Sequence, residues 1–364
     1  MKTTCGLISV FTVALIFSSC QIQQNVSESK DQPVKIIFMI GDGMSGAHLY
    51  AAMTRHGAPI FLEQFPYSGF QKTNSLTKYI TDSAAGGTAL ATGQKTKNSI
   101  IAQDTLGNNL ESILKIAAAN GLSTGVVSTC SVTAATLAVF YANQPSRSLE
   151  EKIAYDLTKA DIDVFIGGGT KYFTDRKDGL NLLDTFVAKG YTVTQNMDEV
   201  RAFKSGKLAG FVAVNHAPKI SEGRGEMLAD ATVKAIELLN KNKKGFFLII
   251  EGSMIDWGGH ANDLEYIIDE TLDFDRAAGK ALEFARNDGN TLVVVTADHE
   301  TGGLTLTGGN IQNKIVEGHF STWGHTASMV PIFSFGPGAE NFSGILDNTE
   351  FFKFFMEIYG FPNE

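Results

Sequence analysis

Three short apolar runs, Ile36–Ile40, Phe246–Ile250 and Leu292–Val295, have acidic or imidazole side chains at or just past their ends. Runs of this length, rich in branched residues, predict strands buried on both faces of a parallel sheet. The first strand is predicted over Lys35–Ile40, and further strands over Gly125–Ser128, Asp163–Ile166 and Val330–Phe335. Apolar residues at helical spacing predict helices over Asn109–Ala119, Leu149–Leu157, Asn181–Ala188, Met227–Leu239, Leu264–Ala285 and Thr349–Tyr359. The alternation predicts an α/β fold: a single large domain over residues 35–364, its central sheet mostly parallel, with helices on both faces. Residues 170–225 are weakly patterned and are expected to form an excursion over the face where the strands end.

The first residues fall outside that pattern. Lys2 followed by the mostly apolar Leu7–Phe17 and by Ser18-Ser19-Cys20 predicts a secretory signal over residues 1–19, too short to span a bilayer as a helix. The small pair before Cys20 predicts lipidation there, and the polar, aperiodic residues 20–34 would serve as a tether to the membrane. Cys5 leaves with the signal and Cys20 would be lipidated, so Cys130 is the remaining thiol and is expected in the core. The net charge of −9 becomes −10 without the signal, because Lys2 is the one charge there. A chain this acidic is not expected to bind nucleic acid, and an anionic substrate would need local positive charge to enter.

Candidate chemistry gathers at the strand ends, where ligands bind in open α/β sheets. Asp42 follows the first strand, Glu251 ends the central one, and Asp298-His299 follows Leu292–Val295. Asp256 and His260 lie four apart just after Glu251, so both can face one ion, and His325 returns in a later loop. Imidazole with carboxylate suits zinc, whereas oxygen donors alone suit magnesium. His48, His56 and His216 have no partner pattern, and His319 lies near His325 but has no independent claim.

A second stretch, Thr81-Asp82-Ser83-Ala84-Ala85-Gly86-Gly87, is dominated by small residues, and Asp82-Ser83 reads as a helix start. A serine there would sit in the positive end of the helix dipole, where backbone N–H groups favour anions. The bland alternative is a tightly packed helix capped by polar residues. No Ser-His-Asp spacing accompanies Ser83, so its activation as a nucleophile would fall to metal ions.

With these motifs, namely Asp-Ser-Ala at Asp82, Glu251-Gly-Ser-x-Ile-Asp256-x-x-x-His260, Asp298-His-Glu-Thr-Gly-Gly and Gly324-His-Thr, the chain resembles the alkaline phosphatases. The similarity runs from about Lys35 to Phe361, and is strongest to the compact cold-adapted bacterial forms. The resemblance implies hydrolysis of phosphate monoesters through a phosphoserine on Ser83, with two zinc ions and one magnesium ion per chain. It implies Asp256, His260 and His325 for the first zinc; Asp42, Ser83, Asp298 and His299 for the second; and Asp42, Thr136 and Glu251 for magnesium. Arg147 would clamp the phosphate and be oriented by Asp82, and Trp257 would lie near the phosphate. Relatives are often homodimers.

The chain departs from the family pattern at Ala134, where Asp or His usually holds a magnesium-bound water. Outer-shell partners of this kind are typically worth ~10–100-fold in metal affinity or activity. Sulfatases of the same superfamily need a Cys/Ser-x-Pro-x-Arg frame that is missing here, and phosphodiesterases lack a pair matching Thr136 and Glu251. The remaining alternative, from another class, is a catalytically inactive surface lipoprotein that binds ligands.

Overall fold

The computed structural model describes Lys2 and residues 34–362, so the rest of the signal and tether, with Cys20, lies outside the described residues. The strands, in chain order, are β1 (Lys35–Gly41), β2 (Tyr67–Lys72), β3 (Ser123–Ser131), β4 (Val164–Gly168), β5 (Tyr191–Thr194), β6 (Lys207–Ala213) and β7 (Phe246–Gly252). They continue with β8 (Thr291–Thr296), β9 (Glu300–Thr301), β10 (Leu304–Asn310), β11 (Ile315–Phe320), β12 (His325–Thr326), β13 (Val330–Phe335) and β14 (Gly344–Asp347). Ten of them form one sheet in the order β14-β2-β13-β8-β1-β7-β3-β4-β6-β5. Only β13 runs antiparallel to its neighbours, β8 and β2.

Burial explains why β1 is central. Ile36, Phe38 and Ile40 enter one hydrophobic cluster, and Ile37 and Met39 enter the other. Each such side chain contributes about 1.5–3 kcal/mol on full burial, a gain available on both faces only inside a sheet. Helices Met227–Leu239 and Leu264–Asp288 cover one face, through residues such as Leu228, Ile267 and Ala277. Helices Ser83–Thr92, Ile113–Ala119 and Glu350–Tyr359 cover the other, through residues such as Leu90, Leu114 and Phe355.

The α/β fold with a mostly parallel sheet and helices on both faces is present as expected. Two local expectations need correction. The helix predicted from Asn109 begins at Ile113, because the Ser112 side chain accepts from Lys115 N and caps it; Asn109 instead bridges to Gln103. Residues 170–225 do not form a mere excursion over the site face. They contribute β5 and β6, which extend the main sheet at its edge beyond β4. Tyr191–Thr194 has only four residues and Lys207–Ala213 carries Gly210 at its middle, so neither shows the branched apolar run that marks a central strand. Among the described residues, no helix is long and apolar enough to cross a membrane.

Candidate active site

Strands β8, β1, β7 and β3 are consecutive in the sheet and parallel, so their carboxyl ends lie side by side. The continuations of these four strands bring Asp298-His299, Asp42, Glu251 and Thr136 to one place. Asp256 and His260 stand one turn apart on helix Met254–Ala261, directly after β7. His325 begins β12, which pairs with β9 through Thr301. Gly43 permits this closure: with φ at 74°, a Cβ there would lie 2.7 Å from Thr301 Oγ1 and 2.8 Å from the Asp256 backbone.

The side chains form two linked groups. Donor atoms of Asp256, His260 and His325 lie within 4.8 Å of one another, as do those of Asp42, Asp256 and His299. Asp298 belongs with the second group, since its Oδ2 is 3.3 Å from His299 Nε2. Thr136 Oγ1 is 3.3 Å from Asp42 Oδ2, and Glu251 is held by Ser128 Oγ at 2.9 Å on the same side. Ser83 opens helix Ser83–Thr92, and its Oγ lies 3.1 Å from His299 Nε2. Asp82 is the N-cap, accepting from Ala85 N at 3.0 Å. Gly86 lets this helix approach, since a Cβ there would come within 2.9 Å of the Asp298 carbonyl oxygen.

Hydrogen bonds fix the three imidazoles. His260 Nδ1 lies 2.5 Å from the Trp323 carbonyl oxygen, and His325 Nδ1 lies 2.9 Å from that of Thr81. A carbonyl can only accept, so both Nδ1 atoms carry protons, which leaves each inward-facing Nε2 as the atom able to bind an ion. Those Nε2 atoms are 3.2 Å apart. His299 is arranged alike: Thr301 Oγ1 donates to Asp256 and lies 3.2 Å from His299 Nδ1. His299 Nε2 then faces Asp42 Oδ1 at 3.4 Å and Asp298 Oδ2 at 3.3 Å. Lone pairs meeting lone pairs and carboxylates repel unless a cation stands between them.

The electrostatics agree. Asp42 Oδ1, Asp298 Oδ2 and Glu251 Oε1 are buried without a hydrogen-bond partner. Burial, and then the neighbouring Asp298, Asp256 and Glu251, raise the Asp42 carboxyl well above its usual range. Burial pushes Glu251 up to about 7 and also raises Asp298, and it drives His299 well below the ordinary imidazole value. Orphaned acceptors with nitrogen and oxygen donors fit divalent cations. A pH signature follows. Without ions, Glu251 is protonated in the fold, so its contribution to stability is complete below the usual carboxyl value of 4.5 and is lost as pH rises through about 7. Ion-loaded protein should do the opposite, since its ligands must be deprotonated. Buried His48, lowered to about 4, affects both forms equally. Thermal unfolding from pH 5 to 8 should therefore diverge between chelated and loaded protein; parallel profiles would exclude these carboxylates as ligands.

Arg147 is half-exposed, with Nη1 3.4 Å from Asp82 Oδ2. Ser99, which the sequence did not single out, ties the pair together: its N–H donates to Asp82 at 2.8 Å and its carbonyl accepts from Arg147 N at 2.7 Å. Trp257 packs edge-on against His216, with ring centroids 4.7 Å apart, and His216 Nδ1 accepts from Ser131 N. Cys130 is buried, as expected of a core thiol, but it lies beside Glu251 at 3.9 Å. Thr301, Ser128 and the carbonyls of Thr81 and Trp323 also touch the candidate ligands, and sequence reasoning missed them. Of these only Thr301 carried a signal, through its place in the Asp-His-Glu-Thr motif.

Comparison with known proteins agrees with this geometry. The profile of the alkaline phosphatase family matches residues 34–319. Alkaline phosphatase 4 of Bacillus subtilis is 33% identical over 94% of this chain and 93% of its own. The structure of alkaline phosphatase from the Antarctic bacterium TAB5 superposes with a TM-score of 0.87 at 41% identity, covering 91% of this chain and all 100% of that one. A cold-active alkaline phosphatase from a psychrophilic Shewanella superposes with a TM-score of 0.83 at 30% identity, over 90% of this chain and 100% of that one. Matched along nearly the whole of its described length, the chain belongs to the alkaline phosphatase family, the phosphoric monoester hydrolases.

Proposed function

We propose that the chain hydrolyses phosphate monoesters in two steps through a phosphoserine on Ser83, using two zinc ions and one magnesium ion. The observation that carries this is the placement of the Ser83 hydroxyl, 3.1 Å from His299 Nε2 at a helix start and beside the two donor groups. Asp256, His260 and His325 would hold one zinc; Asp42, Asp298 and His299, with Ser83, the other; and Asp42, Thr136 and Glu251 the magnesium. Bound there, the ions would supply Lewis acidity and offset the charge of the transferring group.

The chain's own groups do the rest. Ser83 Oγ attacks phosphorus in line as the ester O–P bond breaks, and an alcohol departs. Arg147 forks two phosphate oxygens, a geometry a lysine cannot reproduce. Asp82 and Ser99 hold its guanidinium toward the helix start, whose dipole favours the anion. Water then attacks the phosphoserine from the side the alcohol left, returning the oxygen to Ser83 and releasing inorganic phosphate. Turnover of a chromogenic phosphate monoester, set against the corresponding diester and sulfate ester with zinc and magnesium added, tests the reading. Preferential cleavage of the diester or the sulfate would overturn it, and no cleavage would favour the inactive ligand-binding alternative.

The magnesium site is the one with a missing part. Ala134 offers no polar side chain, and the hydroxyl of neighbouring Thr133 is already paired with Ser131 Oγ at 2.6 Å and Glu150 Oε2 at 2.9 Å. Magnesium is therefore expected to dissociate readily, and Ala134→Asp should tighten it about tenfold or more. Titration of dialysed protein reads this directly, and equal affinities in the two forms would mean that the missing side chain is immaterial. We further propose export, lipidation at Cys20 with anchoring to the membrane, and a homodimer. The mass of the mature N-terminus distinguishes an acylated Cys20 from an unmodified chain, and sedimentation reads the dimer.

A further inference from the structure

One aromatic side chain at the mouth of the site takes no part in the phosphoryl transfer. Trp323 is 73% exposed, in the turn between β11 and β12, two residues before His325. It is nonetheless held in place. Its carbonyl oxygen is bonded to His260 Nδ1. With the Asn262 amide nitrogen donating to the Gly259 and Thr322 carbonyls at 2.9 and 2.8 Å, the Asn262 oxygen accepts the Trp323 indole N–H at 2.9 Å. Asn262, at φ 51°, closes the helix that carries Asp256 and His260. The indole is thus fixed by its one polar atom and by its backbone beside a catalytic-site imidazole, while its ring stays uncovered.

An aromatic ring normally contributes by burying its large apolar surface. Here the polar atom is satisfied within the protein and the apolar faces are left for something else. The opening lies on this side, since the His260 side chain is 42% exposed whereas His299 is fully buried. The second loop that touches these imidazoles, through the Thr81 carbonyl, also carries an uncovered ring: Tyr79, two residues earlier, is 80% exposed. Ser83 sits at His299, His299 stacks on His325 at 3.6 Å, and His325 meets His260. Trp323 therefore stands at the end of this chain of contacts remote from the nucleophile, where in-line transfer expels the alcohol.

We propose that Trp323 determines specificity: its indole is the platform on which an aromatic leaving group, such as the base of a nucleoside monophosphate, stacks. The inference rests on the proposed in-line transfer to Ser83, which expels the leaving oxygen on the side of the Asp256, His260 and His325 group. Stacking of a base on an aromatic ring is worth enough that its loss should lower kcat/KM for adenosine 5′-monophosphate about tenfold in Trp323→Ala, mainly through KM. Hydrolysis of glycerol phosphate, which has no ring, should lose several-fold less than that of adenosine 5′-monophosphate, because alanine keeps the backbone carbonyl that holds His260. Trp323→Phe should retain most of the preference. As a readout apart from turnover, adenosine should quench tryptophan emission in the parent protein and not in Trp323→Ala.

Equal losses on both substrates would show that Trp323 acts only through His260, and unchanged rates on both would show that the ring is a bystander; either result overturns the proposal. So would a monomer–dimer shift on Trp323→Ala, which would assign the ring to an interface between two copies. Failure of the parent protein to cleave glycerol phosphate would instead strike the phosphatase reading, and adenosine quenching would still report on the platform.

Discussion

Ser83→Ala is expected to lose at least about 10³-fold in kcat toward phosphate monoesters, because covalent transfer has no other acceptor in this frame. The fold should survive the change. Ser83 is the first helical residue and Asp82 is the cap, so the hydrogen bond to Ala85 N remains. The substitution removes one hydroxyl, partnered by His299 Nε2, from a position that is 2% exposed. Unfolding temperature should therefore stay close to that of the parent protein, and Asp42, Asp298 and His299 remain to hold the second zinc, while activity collapses. Acid quenching during turnover should trap phosphate on Ser83 in the parent and none in the variant. An Ser83→Ala protein with full activity would remove Ser83 from the mechanism.

His325→Ala should produce the next largest effect. Its ring touches both donor groups: Nε2 is 3.2 Å from His260 Nε2 and 3.6 Å from Asp256 Oδ1, and the ring stacks on His299 at 3.6 Å. Removing an outer-shell partner of a metal ligand typically costs ~10–100-fold in affinity or activity, so loss of a direct ligand should cost at least the upper end of that range. Elemental analysis should show about one zinc fewer per chain if the sites are independent. Unchanged zinc content would reject His325 as a ligand, and unchanged rates with normal zinc would place it outside the chemistry.

The central strands were legible because their apolar runs are continuous and end at charge. Phe246–Ile250 followed by Glu251 and Leu292–Val295 followed closely by Asp298-His299 have this form, and the structure adds only two residues to each strand. β2 was not legible, for the opposite reason. In Tyr67–Lys72 only Gln71 is buried, so neither alternation nor an apolar run marks the strand. The clustering of site residues could be anticipated from strand ends, but their orientation could not. The Thr81 and Trp323 carbonyls that set the His325 and His260 tautomers are backbone atoms, to which any residue type would contribute equally. Ser99 joins Asp82 to Arg147 through its backbone, in a left-handed conformation with φ 73° that is uncommon for serine.

The donor groups come from the continuations of β1, β7 and β8, from a helix and from β12, so residues 42 to 325 must all be in place before either group is complete. Contacts between positions so far apart form late and slowly during folding, because long loops must close first. Neither group exists as a local unit that could capture an ion from the extended chain. In refolding from denaturant with zinc present, burial of the sheet should thus precede ion uptake, and enzymatic activity should return after the circular-dichroism signal does. Chelator added during that lag should leave the sheet intact and the protein inactive, and later addition of zinc should restore turnover without a second folding phase.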